Sequence, residues 1–130
     1  MIGICGDDCL QCPRYIATKK GDTGALRAVK DWWVRLGLRQ PDFPAQDMAC
    51  SGCGQETKCA YPEIQACAHG KGMGHCGLCR GYPCPLLRAV FEKSDQLRSH
   101  AARICTTEEM ETLDRAFFSK RQNLDRTRTA

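Results

Sequence analysis

The chain opens with the stretch Cys5-Gly6-Asp7-Asp8-Cys9-Leu10-Gln11-Cys12-Pro13, in which three cysteines fall within eight residues. Eight further cysteines follow, so that eleven of the 130 residues are cysteine. Leu, Ile, Val and Phe together contribute only 22 residues, a proportion at which a chain struggles to fold by hydrophobic burial alone. We therefore expect the cysteines to stabilise the fold where apolar side chains are scarce.

The compartment decides how these cysteines are used. The first eight residues carry no basic start and no apolar run, and no segment approaches 18 continuous apolar residues. We therefore expect neither a signal peptide nor a membrane span, and a cytoplasmic location. Disulfides are rare in the cytoplasm, and an odd number of cysteines fits a disulfide framework poorly. Clustered cysteines in such a compartment point first to metal and second to thiol redox chemistry.

The charge is small and evenly spread. The formal net charge is +4, with 7 basic and 6 acidic residues over 1–49, 3 and 2 over 50–87, and 9 and 7 over 88–130. Because metal-bound cysteine is a thiolate, two four-cysteine Zn²⁺ sites would bring the net charge to about zero. No stretch forms a basic stripe, so we expect no nucleic-acid binding.

Apolar periodicity predicts a small, mainly α domain with irregular loops, stapled by cysteine-ligated metal sites. No run shows the alternation of a strand. The clearest helix covers residues 22–36, with Leu26, Val29, Trp33 and Leu36 on one face. Further helices are expected over residues 13–20, 62–70, 85–104 with room for a break at 94–95, and 107–117 behind a capping box of Thr106 and Glu109.

The same reading predicts one cysteine-rich metal-binding domain over residues 1–118 and a polar C-terminal tail over residues 119–130. The tail carries Lys120, Arg121, Arg126 and Arg128, and we expect it to be frayed and solvated. Residues 38–59 lack any apolar period, and a stretch this long without structure is unusual in a compact domain. A metal site at its end could order it.

Two Cys-x₂-Cys pairs give the strongest indication of metal. They are Cys50-Ser51-Gly52-Cys53 and Cys76-Gly77-Leu78-Cys79, separated by 22 residues, which is close to zinc-ribbon spacing. The opening trio needs a fourth ligand, for which Cys67 and Cys84 are the best candidates. Which four cysteines share an ion stays open. The predicted metal ligands are Cys5, Cys9, Cys12, Cys50, Cys53, Cys59, Cys67, Cys76, Cys79 and Cys84.

Three other residues are weaker candidates. Cys105 stands alone before the last predicted helix and is expected to be a small hydrophobic residue of the core. His69 and His75 neighbour Cys67 and Cys76, and we expect them to support the ligands rather than to bind metal.

The chain resembles a cysteine-rich family of bacteria and archaea, domain-of-unknown-function family 3795, over about residues 2–90. The resemblance rests on the opening stretch through Thr18, on Cys50-Ser51-Gly52-Cys53, Cys59, Cys67-Ala68, Lys71-Gly72 and Cys76-Gly77-Leu78-Cys79, and on Tyr82-Pro83-Cys84. The family pattern carries a further Cys three residues after Cys59, where this chain has Pro62. A four-cysteine site within residues 50–62 would therefore need a donor from elsewhere. The resemblance implies a small zinc or iron–sulfur protein without an established activity.

We therefore expect a cytoplasmic protein with structural Zn²⁺, in two sites, that acts as a binding or regulatory module through a protein partner that the sequence does not identify. The alternative is an iron–sulfur protein for electron transfer or redox sensing, holding a [4Fe–4S] cluster. A radical enzyme would need a large barrel, and thioredoxin-type chemistry would need a βαβ unit. An enzyme with Cys59 or Cys105 as nucleophile is a third hypothesis, disfavoured because no His and acid pair is positioned for it.

Overall fold

The computed structural model describes residues 2–52 and 60–129 and shows a mainly helical chain. No strand occurs in these residues, and one isolated bridge pairs Ile2 with Asp8. The predicted fold class, mainly α with irregular loops, is confirmed, while the metal stapling stays a prediction. The helices are α1 (Pro13–Lys20), α2 (Thr23–Arg35), α3 (Pro62–Gly70), α4 (Pro85–Ala102), α5 (Thr107–Ala116) and α6 (Lys120–Thr129); 3₁₀ turns cover Cys9–Gln11, Ala45–Met48 and Cys76–Leu78.

Local sequence determines the ends of α1 and α2. Gly21 adopts φ +62°, the left-handed conformation that favours glycine, and its N–H donates back to the last turn of α1. Asp22 then caps α2, because its side chain accepts the N–H of Ala25 at 2.9 Å. The predicted face of α2 is confirmed as buried: Leu26, Val29, Trp33 and Leu36.

Two hydrophobic clusters form the interior. The α2 cluster contains the buried face of α2 together with Ala17, Met48, Ala101 and Leu113. The α6 cluster consists of Ile4, Cys5, Ile64, Ala68, Cys76, Leu87, Val90 and Leu124. Two cysteines thus fill core positions, which fits a chain poor in large apolar residues.

Helix α4 joins the two clusters. Leu87 and Val90 pack in the α6 cluster, and Ala101, three turns later, packs in the α2 cluster. The break allowed at residues 94–95 does not occur. Ser94, buried at this point, donates its hydroxyl to the carbonyl of Phe117 at 3.2 Å, so a polar residue is accommodated inside a continuous helix.

The prediction of a frayed, solvated C-terminal tail is wrong for the described residues. Helix α6 packs against the N-terminal loop, with Leu124 fully buried. Asn123 donates its amide to the carbonyl of Gly6 at 2.9 Å, and Lys120 is 5% exposed. Lys120 and Asn123 of this helix therefore bond the N-terminal loop, and partners so distant in sequence cannot be read from the tail itself.

Candidate functional site

The first cysteine turn, residues 9–12, is a tight 3₁₀ turn with a cysteine at each end. The N–H of Cys12 donates to the carbonyl of Cys9 at 3.1 Å. The preceding Asp8 caps the turn, since its carboxylate accepts the N–H of Leu10 at 3.1 Å. This compact geometry holds the two cysteines together at one end of α1.

The second cysteine turn, residues 76–79, repeats this arrangement. The N–H of Cys79 donates to the carbonyl of Cys76 at 3.1 Å. The cap is His75, whose Nδ1 accepts the N–H of Gly77 at 3.1 Å. His75 therefore supports the turn through Nδ1, and its expected supporting role toward a metal stays a prediction.

Four cysteines lie at the second turn: two belong to it and two come from neighbouring helices. Burial first, and then the neighbouring thiols of Cys84, Cys67 and Cys79, raise the pKa of the Cys76 thiol to about 11. Cys67 comes from α3 and Cys84 caps α4, so three parts of the chain converge here. The predicted ligands Cys67, Cys76, Cys79 and Cys84 thus lie in one neighbourhood, which we call the second cysteine group.

Two cationic side chains face this group. Lys71 donates its ammonium to the sulfur of Cys79 at 3.5 Å. Arg128 of α6 donates to the carbonyls of Gly77 and Cys79 at 2.7 and 2.9 Å. The N–H of Gly81 and then Lys71 and Arg128 lower the pKa of the Cys79 thiol, because each stabilises its thiolate. Sequence analysis assigned neither cation to the site, and Arg128 lies in the segment expected to be solvated.

Two cysteines occupy the start of a helix, each followed by proline. Cys12 precedes Pro13 of α1, and Cys84 precedes Pro85 of α4. The sulfur of Cys84 accepts the N–H of Leu87 at 3.4 Å. Burial raises the pKa of Cys12, and hydrogen bonds from the backbone of the first turn of α1 oppose that rise. Helix starts of this kind stabilise thiolates.

The first cysteine group consists of Cys9, Cys12 and Cys50. Burial first, and then the neighbouring groups of Cys12, Asp7 and Cys50, raise the pKa of the Cys9 thiol to about 11. The thiols neighbouring Cys50 are thus Cys9 and Cys12, two members of the opening trio. The zinc-ribbon spacing suggested a different grouping, in which Cys50 pairs with Cys76 and Cys79.

Hydrogen bonds to α1 place Cys50 in this group. The N–H of Cys50 donates to the hydroxyl of Thr18 at 2.9 Å, and Nε of Arg14 donates to the carbonyl of Met48 at 2.7 Å. Met48 is fully buried in the α2 cluster, so the segment before Cys50 is held against both helices.

Cys5 takes a different place from the other members of the opening trio. It is 2% exposed within the α6 cluster, and its thiol hydrogen-bonds the carboxyl of Asp7. Asp7 in turn pairs with Lys120 at 2.7 Å. Cys5 therefore links the first cysteine turn to α6.

In residues 2–52 and 60–129 as placed, no three His, Cys, Asp or Glu side chains come close enough to share one metal ion. Cys53 and Cys59, two predicted ligands, lie outside the described residues. His69 is half-buried at the end of α3. The ligand set predicted from the sequence therefore stays a prediction, and seven of its ten members lie in the two cysteine groups.

Cys105 lies away from both groups. It packs against the α2 cluster and accepts the indole N–H of Trp32 at 3.3 Å. Its role as a packing residue is consistent with the sequence.

Within the described chain, no helix is both long enough and apolar enough to cross a bilayer.

Comparison with protein families supports the resemblance found in the sequence. The profile of the family described as "Protein of unknown function (DUF3795)" matches residues 1–89, about the segment over which the family motifs were found. Both cysteine groups fall inside this match, whereas α5 and α6 follow it. No curated protein and no solved structure matches the chain. The chain belongs to the family of proteins of unknown function DUF3795.

Proposed function

We propose that the protein is a small metal-binding module whose cysteine groups hold structural Zn²⁺. The proposal is supported by one observation: the thiols of Cys67, Cys79 and Cys84 lie near enough to Cys76 to raise its pKa, although no three of these side chains are close enough in the described residues to share an ion without moving. Four thiols match the ligand number of a closed tetrahedral zinc site. Metal binding would draw the sulfurs inward, since Zn–S bonds are about 2.3 Å long.

The surroundings of the second cysteine group support a thiolate site. A Zn²⁺ ion held by four thiolates carries a net charge of −2, and Lys71 and Arg128 supply two nearby positive charges. Backbone N–H groups donate to the sulfurs of Cys79 and Cys84. Such outer hydrogen bonds orient ligands and stabilise their deprotonated form.

An all-thiolate set favours a structural role over a catalytic one. Catalytic zinc keeps an open position and is commonly held by His or carboxylate as well as Cys. In the second group, four thiols fill the four positions. The metal would then supply folding free energy, on the order of 10 kcal/mol per site. The exposed surface around the site would serve a protein partner.

Elemental analysis of protein purified without oxygen tests the proposal. We expect zinc at one to two ions per chain. Cys76→Ser should lower the zinc content by about one ion, whereas Cys105→Ser, the matched control outside both groups, should leave it unchanged. Strong chelation should unfold the protein cooperatively, as followed by far-ultraviolet circular dichroism.

Two results would overturn the zinc assignment. Iron and sulfide with a brown chromophore would assign the same thiols to an iron–sulfur cluster, the alternative function. Protein without bound metal, which keeps its helical signal in chelator, would remove the metal role altogether.

A further inference from the structure

A cavity of about 320 Å³ lies between α2, α4 and α5, and the first cysteine group, Cys9, Cys12 and Cys50, forms part of its lining. Its walls are mainly apolar and include Trp33, Leu36, Leu97, Leu113, Phe117 and Phe118. A volume of this size is at the small end of the range for small-molecule sites.

Three cationic side chains and one carboxylate line the cavity. They are Arg14, Arg39 and Lys120, and the carboxylate is Asp7, which Lys120 already pairs with. Neither arginine forms an ion pair with a carboxylate in the described part of the chain. The cavity thus carries an excess of positive charge.

The two arginines line the same cavity, and among residues 2–52 and 60–129 no carboxylate pairs with either of them. Arg14 is anchored by its Nε to the carbonyl of Met48 at 2.7 Å, so its terminal nitrogens are not used by that bond. Arg39 lies over the ring of Phe43, 5.2 Å from the centroid, and donates to the carbonyl of Leu38. Burial, and then the charge of Arg14, lower the pKa of Arg39. A bound anion would relieve that repulsion.

We propose that this cavity binds a small organic carboxylate, with its carboxylate on Arg14 and Arg39 and its apolar body between Trp33, Leu36 and Phe117. Arginine forks match carboxylates in a bidentate geometry. The apolar walls select against inorganic anions, which would leave them unfilled. Neither arginine is a candidate metal ligand, but the first cysteine group lines the same cavity, so zinc content is measured together with carboxylate binding.

The body of the ligand can be aliphatic or aromatic, and the test separates the two. Octanoate and phenylacetate are titrated into the full chain as purified, by calorimetry and by tryptophan fluorescence in a Trp32→Phe background, where Trp33 reports on the cavity. We expect saturable binding of at least one of them at one site per chain. The carboxylate that binds more tightly shows whether the body of the ligand is aliphatic or aromatic.

Matched ligands and variants locate the site. Octanol lacks the charge of octanoate, and acetate lacks the apolar body, so both should bind at least about tenfold more weakly than the better carboxylate. Arg39→Gln should weaken binding by about tenfold or more, and Arg39→Lys by less. Arg27→Gln, on the exposed face of α2, should change nothing.

Each opposing result overturns the inference. The inference is wrong if neither carboxylate binds, or if octanol or acetate binds as tightly as the better carboxylate. It is also wrong if a folded Arg39→Gln variant binds that carboxylate as tightly as the wild type does. If Arg39→Gln does not fold, Arg39→Lys and the ligand comparison decide the matter. Metal content is measured on the same samples, so loss of zinc and loss of carboxylate binding are recorded separately.

Discussion

Lys120 and Asp7 form a buried ion pair that ties α6 to the N-terminal loop, with Nζ 2.7 Å from Oδ1. The ammonium also lies 2.6 Å from the carbonyl of Phe117 and 3.4 Å from the hydroxyl of Ser94. The carbonyl and the hydroxyl each accept a hydrogen bond from it. Burial is the largest single influence and lowers the pKa of Lys120, but the charges of Asp7, Cys5 and Tyr61 together outweigh it and the pKa is raised. The lysine is therefore charged in the folded protein.

Removing this lysine should be costly. Lys120→Met leaves the Asp7 carboxylate without its cation, and loss of one partner of a buried pair costs about 3–5 kcal/mol. Urea denaturation measures the change in the free energy of unfolding. The control is Arg98→Gln, which removes a surface pair with Asp114 and should cost less than about 1 kcal/mol. Equal losses in the two variants would show that the buried pair has no special weight.

Two glycines allow α6 to approach both cysteine turns. A Cβ at Gly6, where φ is +99°, would lie 2.9 Å from Cγ of Leu124 and would clash with the carbonyl of Lys120. A Cβ at Gly77 would clash with Oγ1 of Thr127. We expect Gly6→Ala and Gly77→Ala each to lower the free energy of unfolding by about 1–3 kcal/mol, the usual cost of overpacking.

The control for these variants is Gly74→Ala, where a Cβ meets no atom within 4 Å and φ is not positive. Its thermal midpoint should stay at that of the wild type. If Gly6→Ala and Gly77→Ala melt at the same temperature as Gly74→Ala, the close packing of α6 is not a feature of the protein in solution.

The metal-free protein should lose stability in alkaline solution. Burial raises the pKa of Cys9 and of Cys76 to about 11, above the value of 9.0 for an exposed thiol. The unfolded chain therefore loses these protons first, and the stabilisation present below pH 9 declines as the pH rises toward 11. This prediction concerns the outcome in which the chelated protein keeps its helical signal, and urea midpoints of that protein at pH 8 and pH 10.5 then measure the decline.

Other groups titrate in the same range, so the comparison needs a variant. Cys9→Ala removes one of the two thiols, and its midpoint should depend less on pH than that of the unsubstituted chain. An identical pH dependence in both proteins would contradict the assignment to Cys9.

Cys79 should be the most reactive thiol of the second cysteine turn. The pKa of Cys79 is lowered by the backbone N–H of Gly81 and by the positive side chains of Lys71 and Arg128, whereas the pKa of Cys76 is raised. Since the thiolate is the nucleophile, iodoacetamide at pH 8 should alkylate Cys79 before Cys76 in metal-free protein. Peptide mapping by mass spectrometry gives the two rates. Lys71→Met should slow the reaction of Cys79, and the reverse order of alkylation would contradict the prediction.

The sequence predicted what is decided locally. The cap at Asp22 and the spacing of apolar residues lie within one segment, so the position of α2 was correct. The capping box was also correct: Thr106 accepts the N–H of Glu109 at 3.2 Å, and Glu109 accepts the N–H of Thr106 at 3.0 Å. Each of these features needs no information from elsewhere in the chain.

The errors concern distant contacts. Ser94 looks like a break because its polar side chain is unfavourable inside a helix, yet its partner is the carbonyl of Phe117, 23 residues away. Helix α6 looks solvated because its contacts are to the N-terminal loop. The grouping of the cysteines, which the sequence leaves open, depends on the path of the loop before Cys50, which hydrogen bonds to α1 determine. Spacing along the chain carries none of this information.

Helix α6 has a consequence for how the family segment can be isolated. The matching segment ends at residue 89, yet Leu124, from beyond it, seals the interior around Ile4, and α4 is cut by that boundary in its second turn. A fragment ending at residue 89 would expose that apolar surface to water. It would also lose Arg128, which donates hydrogen bonds to the second cysteine turn. The autonomous folding unit of this protein is therefore longer than the segment by which its family is recognised.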